Sequence, residues 1–536
     1  MASKSLNLNT DQDIVLHLEK SEANTSNLYS HPVGLFVLFF TEMWERFSYY
    51  GMRAILVLFL IADLKSNGWA WPRADALQLY ALYTGIVYLT PIVGGFIADR
   101  FTGYRKAVII GGLIMTLGHA SMALEAVSSN FFYLGLILII AGNGLFKPNI
   151  SAMVGKLYPP ISDKKDSAYQ IFYMGINSGA FLGMLMCGYL GEKVGWHYGF
   201  GLAGIFMLFG TLQFYFAEKI FGVIGSKNIK PEAPVVKEPA DLVAHKVDEV
   251  TQKKVETQRL WVIAIFSIFT IFFWMVFEQA GGSMTIFAKD YTLRNLTGNA
   301  ALTFKWVDSI LTIFPLLAVS IVLFGLATKI FKKHPATILF TMLSFAIIWA
   351  LGIWKINREF SAVNTEVPAS WFNVLNSFFI VSLAPMVSKF FETRFNPSGP
   401  IKFGLGLILV GVGFAGLAYG GREIPQGATT AQVTMFWLIF AYFFHTVGEL
   451  FVSPVGLSYV SKLAPARLVG LMFGFWFTCT AIGNYLAGAT GALIDKITAS
   501  HSISYFFLIF TVIPIVAGLI IFLLNPLLKK WMHGVH

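Results

Sequence analysis

Glu42, Glu45, Arg46, Tyr49, Tyr50 and Arg53 stand inside one apolar stretch, with GLFVLFF before them and AILVLFLIA after. A charge in hydrocarbon costs several kcal/mol, which makes each of these residues a candidate for function rather than packing. Glu42, Arg46, Tyr49 and Arg53 recur at i, i+4, i+7 and i+11, one face of a helix, with Glu45 and Tyr50 beside the stripe. A lipid-facing helix could not carry this face; it must look into a protein interior or a wet cavity. The available chemistry is proton transfer and charge recognition. A carboxylate in low dielectric can load and release a proton near neutral pH, and a guanidinium can hold an anion.

Further groups of this kind recur along the chain. Gly142-Asn143-Gly144-Leu-Phe-Lys147-Pro148-Asn149 puts a lysine deep in an apolar run, where it needs an anionic partner, and the proline frees a backbone carbonyl and bends the helix. Tyr169, Tyr173 and Asn177 recur at four-residue spacing. Trp274 and Glu278 lie one turn apart; His445, Glu449 and Ser453 share a stripe, as do Trp476, Thr480 and Asn484. Each has a plainer reading. Tyrosines and tryptophans in membrane helices serve as packing or interface anchors, Asn177 and Asn484 could be interhelical hydrogen-bond partners, and His445 could be a core histidine. For Glu42, Glu45, Glu278 and Glu449 the burial cost argues against a purely structural role. Four such carboxylates supply a proton-coupled mechanism; a sodium-coupled one favours unwound backbone carbonyls, for which no clear glycine-broken pair of segments is present.

The elements that must position these groups are membrane helices. The 536 residues are 56% hydrophobic and only 13% charged, about half the charged share of a soluble domain, with a mean hydropathy of +0.66. The net charge of +10 lies in loops rather than among aromatics, so no nucleic-acid face is expected. No His-rich metal constellation or intramembrane Ser/His/Asp set is present, so neither a metal, a cofactor nor an enzyme is expected. Cys187 and Cys479 fall inside apolar segments, away from any disulfide role. About fourteen apolar runs could each cross a bilayer of roughly 30 Å: 33–62, 76–98, 106–127, 131–155, 167–190, 198–221, 260–288, 304–331, 336–354, 369–393, 402–420, 431–456, 468–494 and 503–528. The polar stretch 222–259 divides them. The expected organisation is a cytoplasmic tail 1–32, a six-helix bundle 33–221, a cytoplasmic linker 222–259, a second bundle 260–528 with an extra pair at about 304–354, and a tail 529–536. No cleavable leader is expected at 1–32. Lys and Arg concentrate in alternate loops, which predicts that both termini are cytoplasmic.

Two bundles about a linker are the layout of a rocking-bundle transporter. Gly94-Gly95-Phe-Ile-Ala-Asp99-Arg100-Phe-Thr-Gly103-Tyr-Arg105-Lys106 resembles the signature loop of the major facilitator superfamily, with Asp99 and Arg100 placed to lock the bundles at the inner edge. With a rise of about 1.5 Å per residue, Lys147 and Glu449 reach a similar depth toward the cytoplasm, and Arg53 and Glu278 a similar depth toward the outside. An ion pair at each end of a cavity, one formed while the other is open, is what alternating access requires.

The order TEMWERFSYYGMR at 41–53, GGFIADRFTGYRK, GNGLFKPNIS at 142–151, QIFYMGINSGAFLG at 170–183, FFWMVFEQAGGS at 272–283, TVGELFVSPVGLSYVSKLAP at 446–465 and GLMFGFWFTCTAIGNYLAG at 470–488 resembles the proton-dependent oligopeptide transporter family. The resemblance covers about residues 33 to 526. It implies an all-α membrane protein of two six-helix bundles plus two extra helices, and a symporter that imports di- and tripeptides with protons. It implies that Glu42, Glu45, Arg46 and Glu278 couple to protons. Arg53, Lys147, Tyr49, Tyr50 and Tyr88 would hold the peptide carboxylate and backbone, Asn177 would bond the backbone, and Glu449 would take the amino terminus. Trp274, Trp476 and Phe477 would shape side-chain pockets, with Ser453 and Thr480 on the same linings. A bacterial inner or plasma membrane and a monomer are expected, with lipid, peptide and protons as partners.

Trp371-Phe-Asn-Val-Leu-Asn376-Ser377 resembles the family's eighth core helix, where proline usually follows the binding asparagine; here Ser377 follows Asn376. The runs 304–331 and 336–354 are then a pair inserted between the seventh and eighth core helices. Many bacterial members carry an extra pair between the bundles instead. With few polar groups beyond Asp308, this pair reads as peripheral and without a transport role. Rival readings are a same-fold carrier of nitrate or drugs, and a membrane receptor that senses without carrying.

Overall fold

The computed structural model describes residues 21–159, 162–227 and 249–535. Of the expected tail 1–32 and linker 222–259, residues 1–20 and 228–248 lie outside the described residues. Among the described residues fourteen helices have nineteen residues or more. They are α1 Val33–Ile61, α2 Arg73–Ile97, α3 Tyr104–Met122, α4 Ser129–Lys156, α5 Lys165–Lys193, α6 Trp196–Ala217, α7 Glu249–Phe277, α8 Gly298–Ile330, α9 Pro335–Ser361, α10 Val374–Thr393, α11 Gly399–Gly420, α12 Phe436–Leu463, α13 Val469–Gly491 and α14 Ile503–Met532.

Twelve segments are long and apolar enough to cross a membrane; α1 and α3 are not among them. For α1 the reason is its own charged stripe, since every membrane-spanning length of the helix holds Glu45, Arg46 and Glu42 or Arg53. Yet α1 is the most enclosed of these fourteen helices: Glu42, Glu45 and Arg46 are each no more than 2% exposed. Protein, not lipid, surrounds that stripe.

Helices α1 to α6 pack mainly among themselves, α1 against α5 and α6, and α3 against α4 and α6; α11 packs against α12 and α14 in the second half. The halves meet where α2 lies on α13 and α5 on α10. Close approach of α1 and α5 comes from a glycine stripe. A Cβ on Gly179 or Gly183 would strike the carbonyls of Met43 or Phe47 on α1, the small-residue packing expected between membrane helices. This contact fixes the rotation of α1 and aims its charged face inward.

Two helix breaks shape the site. Pro148 in α4 cannot donate to the carbonyl of Gly144, and that carbonyl instead faces Gly94 of α2, where a side chain would collide with it. Asn149 Nδ2 donates to the carbonyls of Leu145 (2.6 Å) and Gly94 (3.4 Å), repairing the bend. Helix α7 ends at Phe277 and passes into a 3-10 turn, Glu278–Gly281. A second 3-10 turn, Ala369–Asn373, precedes α10.

The inserted pair differs from its sequence reading. Lys355 is buried inside α9 and joined to Asp308 of α8 at 2.6 Å, so the pair encloses a complete ion pair. The apolar run stops at 354, which makes Lys355 look like a flanking charge, but the helix continues to Ser361 and turns Lys355 inward.

Candidate functional site

A cavity of about 160 Å³ lies between the halves, lined on one side by Tyr50, Arg53, Tyr88 and Asn177 and on the other by Trp274, Glu278, Asn376 and Glu449. Tyr173, Asn177, Ile380 and Glu449 also line a larger space of about 1400 Å³, bounded by α5, α10, α11 and α12, with Lys529 near the end of α14. The two spaces therefore adjoin, and the larger lies toward the end of the molecule that holds the start of α1 and the finish of α14. Ser453 lines the larger space.

The opposite end is shut by ion pairs across the halves. Arg53 Nη2 lies 2.7 Å from Glu278 Oε2, and Arg53 Nη1 lies 3.4 Å from Oε1. The Tyr80 hydroxyl donates to Glu278 Oε2 at 3.3 Å. Arg73, at the start of α2, reaches Asp290 (2.7 Å), Asp495 (2.9 Å) and the hydroxyl of Tyr291 (3.2 Å). Lys193 of α5 meets Glu366 at 2.7 Å, and Arg294 meets the same carboxylate at 3.0 Å. Burial pushes the Glu366 carboxyl up, but the Lys193 hydrogen bond and the Arg294 charge outweigh it and leave it below its usual range.

On α1, Arg46 Nε stands 2.9 Å from Glu42 and directly against Glu45, and Asn143 Nδ2 donates to Glu45 Oε1 at 3.0 Å. One guanidinium serves two carboxylates, so a second cation is needed for balance. Lys147 supplies it, within electrostatic reach of both, with its ammonium 4.3 Å from the ring centre of Tyr88. Glu42 Oε2, Arg46 Nη2 and Tyr49 Oη are buried without a hydrogen-bond partner among the described residues. Buried polar groups are rarely left so; the Glu42 oxygen is free to accept a proton, and Arg46 and Tyr49 to donate to a new partner.

Across the cavity, Glu449 Oε2 accepts from Asn376 Nδ2 at 3.1 Å, and Asn376 also donates to Thr446. Among the described residues no cation forms an ion pair with Glu449. Lys147 and Glu449, expected to pair, are not joined in this open form. Asp99 accepts from Tyr104 of its own loop at 2.5 Å, and Arg100 lies over Phe96; neither reaches the other half. Trp476 fills the space beside Gly456 of α12. Phe477 is half exposed and stacks on Phe473. The Thr480 hydroxyl bonds the Trp476 carbonyl. None of these three lines the two spaces.

Sequence reasoning passed over Tyr80, Asn143, Asn373 and Tyr442. Tyr80 stands two turns before Tyr88 on the same helix face, and Asn143 sits in the quoted GNG motif, so both were within reach. Asn373 and Tyr442, bonded to each other at 2.9 Å, meet only through the tertiary fold. His445 lines the cavity and packs on Phe414 with ring centres 4.5 Å apart, and both its ring nitrogens are buried without a hydrogen-bond partner among the described residues.

Two helical halves about a central polar cavity, shut at one end by cross-half ion pairs and open at the other, define a secondary transporter of the major facilitator fold. The chain belongs to the POT family, whose PTR2 model matches residues 105–240 and 334–507. It is 34% identical over 523 residues to "Uncharacterized transporter YclF" of Bacillus subtilis, covering 95% of this chain and 96% of that protein. It is 31% identical over 538 residues to a "Di-/tripeptide transporter" of Lactococcus lactis subsp. cremoris, covering 97% and 99%, and 31% identical over 484 residues to "Peptide transporter YePEPT" of Yersinia enterocolitica, covering 86% and 88%. A crystal structure of a peptide transporter POT mutant in complex with alafosfalin superposes with a TM-score of 0.74 at 27% identity, covering 98% of this chain and all of the other.

Proposed function

We propose that this protein is a proton-coupled symporter that imports di- and tripeptides by alternating access. The observation that carries the reading is the polarity of the central cavity. The first half presents Arg53 and the second presents Glu449, which has no cationic partner among the described residues. A zwitterionic ligand needs one cationic and one anionic pole, and its variable side chains need room rather than specific bonds. Trp274, Tyr173 and Asn177 around the same cavity supply an apolar wall and a backbone partner.

The cycle follows from the ion pairs. With both termini cytoplasmic, as the Lys and Arg distribution indicates, the present form is open to the inside. Arg53 and Glu278 hold the outer side closed. Protonation of Glu278 removes its charge and releases Arg53, which then meets the peptide carboxylate. On the inner side, Glu42, Glu45, Arg46 and Lys147 form a neutral set of two acids and two bases. A proton taken by Glu42 or Glu45 leaves Lys147 without its anion and free to approach Glu449 as the inner end closes. Asp99 and Arg100 would find cross-half partners at the same moment. All fourteen helices are assigned as spans, in a monomer in the bacterial inner or plasma membrane, with no cofactor beyond the proton.

Uptake of a labelled dipeptide into proteoliposomes, with and without an imposed inward proton gradient, tests the reading. Accumulation that depends on the gradient supports it. Peptide binding without flux would make the protein a receptor, and flux of nitrate in place of peptide would move the substrate class.

A further inference from the structure

Helices α8 and α9 enter and leave the fold through one two-stranded ribbon, in which Asn295 pairs with Glu366 and Leu296 with Thr365, antiparallel. The ribbon is rooted in the second half: the Leu293 N–H donates to the Val433 carbonyl at 2.8 Å, and Val367 N–H to the Arg294 carbonyl at 2.9 Å. The body of the pair lies on the first half, α9 against α6 and α8 against α1 and α5. At the α8–α9 turn, Glu22 meets His334 at 2.8 Å and Lys333 at 3.5 Å. At the other end the Tyr189 hydroxyl of α5 donates to Glu359 at 2.7 Å, and Arg358 donates to the Lys193 carbonyl at 2.9 Å. The insert is thus rooted in one half and docked on the other.

Between root and body lies the buried ion pair. Lys355 Nζ is 2.7 and 2.6 Å from the two Asp308 oxygens and 3.2 Å from the Thr312 hydroxyl. Trp371, in the turn before α10, donates its indole N–H to Asp308 Oδ1 at 3.2 Å and packs edge-on against Phe304. Beside it, Glu192 of α5 accepts the N–H groups of Ala369 and Ser370, each at 2.8 Å, and the Ser370 hydroxyl at 2.5 Å. First half, second half and insert therefore meet at one point, at the end of the molecule closed by Arg53 and Glu278.

We infer that the α8–α9 pair is a brace that holds the outer end shut, and that Asp308, Lys355 and Trp371 are gating residues of the transport cycle. The inference rests on the rocking-bundle reading above. When the outer end opens, α5 must part from the turn before α10. An insert fixed to both halves must then either leave the α6 surface or release Trp371 together with the Lys193–Glu366 pair, and the second is the lesser loss. The ion pair makes that release reversible. Asp308 keeps Lys355 when Trp371 departs, so no buried charge is stranded in either form. A passive lipid-facing insert gives no reason to bury two charges at all.

Trp371→Phe removes the indole donor and keeps the ring. The probe is Ala54→Cys in the central cavity, in a background without Cys187 and Cys479, labelled by a membrane-impermeant maleimide from the side away from the termini. Loss of one hydrogen bond to a carboxylate should raise the labelling rate roughly tenfold. Trp306→Phe, exposed on α8, should leave it unchanged. Replacing residues 297–364 by a two-residue turn is feasible because Leu296 and Thr365 are already paired, and should raise labelling as well. If that variant does not fold, Trp371→Phe decides alone. Unchanged labelling in Trp371→Phe, or an equal rise in Trp306→Phe, would overturn the brace. The readout needs no peptide, so a failure of peptide uptake would leave it standing on its own.

Discussion

Glu449→Gln isolates the amino-terminal half of substrate recognition. Glutamine keeps the shape of the side chain and a carbonyl oxygen for Asn376, which now stands 3.1 Å from the carboxylate. What disappears is the negative charge, and among the described residues no cation of the protein pairs with it. A peptide ammonium would be its first cation. A hydrogen bond to a charged group contributes about 1.5–3 kcal/mol, and each 1.4 kcal/mol is tenfold in affinity, so ordinary dipeptides should bind about ten- to a hundredfold more weakly. An N-acetylated dipeptide has no ammonium and should lose little. Inhibition constants for both ligands, measured by competition against a labelled dipeptide in proteoliposomes, give the comparison directly. Equal losses for the two ligands would refute the argument and make Glu449 a gate or structural group.

Three further outcomes follow from the same geometry. Glu278→Gln mimics permanent protonation beside Arg53 and should abolish gradient-driven accumulation while peptide exchange persists; undiminished uphill uptake would remove Glu278 from the proton path. Lys147→Cys with Glu449→Cys, in a background lacking Cys187 and Cys479, should crosslink when the inner end closes and not in the open form. If no transport state gives a crosslink, Lys147 belongs to the α1 carboxylates alone. Glu366 is held below its ordinary range, so its contribution is complete above its unfolded value of about 4.5 and is lost as pH falls through the lower folded value. The thermal-unfolding midpoints of wild type and Glu366→Gln should then differ by a constant amount from pH 8 to 5 and converge only under stronger acid; convergence near pH 6 would contradict the ion-pair account.

The charged face of α1 was legible in the sequence because charge in a membrane segment is costly and its spacing is fixed by the helix. The Arg53–Glu278 juxtaposition was legible for a related reason: counting residues gives depth, and the outer end is closed in this form. The same counting matched Lys147 to Glu449, but their separation depends on which end is open, and sequence carries no conformational state. The buried partner of Asp308 was not legible because Lys355 follows directly on an apolar run, where flanking charges usually face the interface. Helix α9 continues past it, and only the tertiary fold reveals Asp308 opposite. Trp476, Phe477 and Thr480 lie in a motif that contributes no residue to either space, and in the open form α13 aims them elsewhere. Asn373 and Tyr442 escaped notice because their hydrogen bond joins segments with no common pattern.

Proton movement with peptide is the central claim, and a pH-sensitive dye trapped inside proteoliposomes measures it most directly. With the membrane potential set inside-negative and no initial pH difference, adding a dipeptide outside should acidify the lumen in wild type and leave it unchanged in Glu278→Gln. Peptide entry in wild type without acidification would contradict the assignment of a proton-coupled symporter.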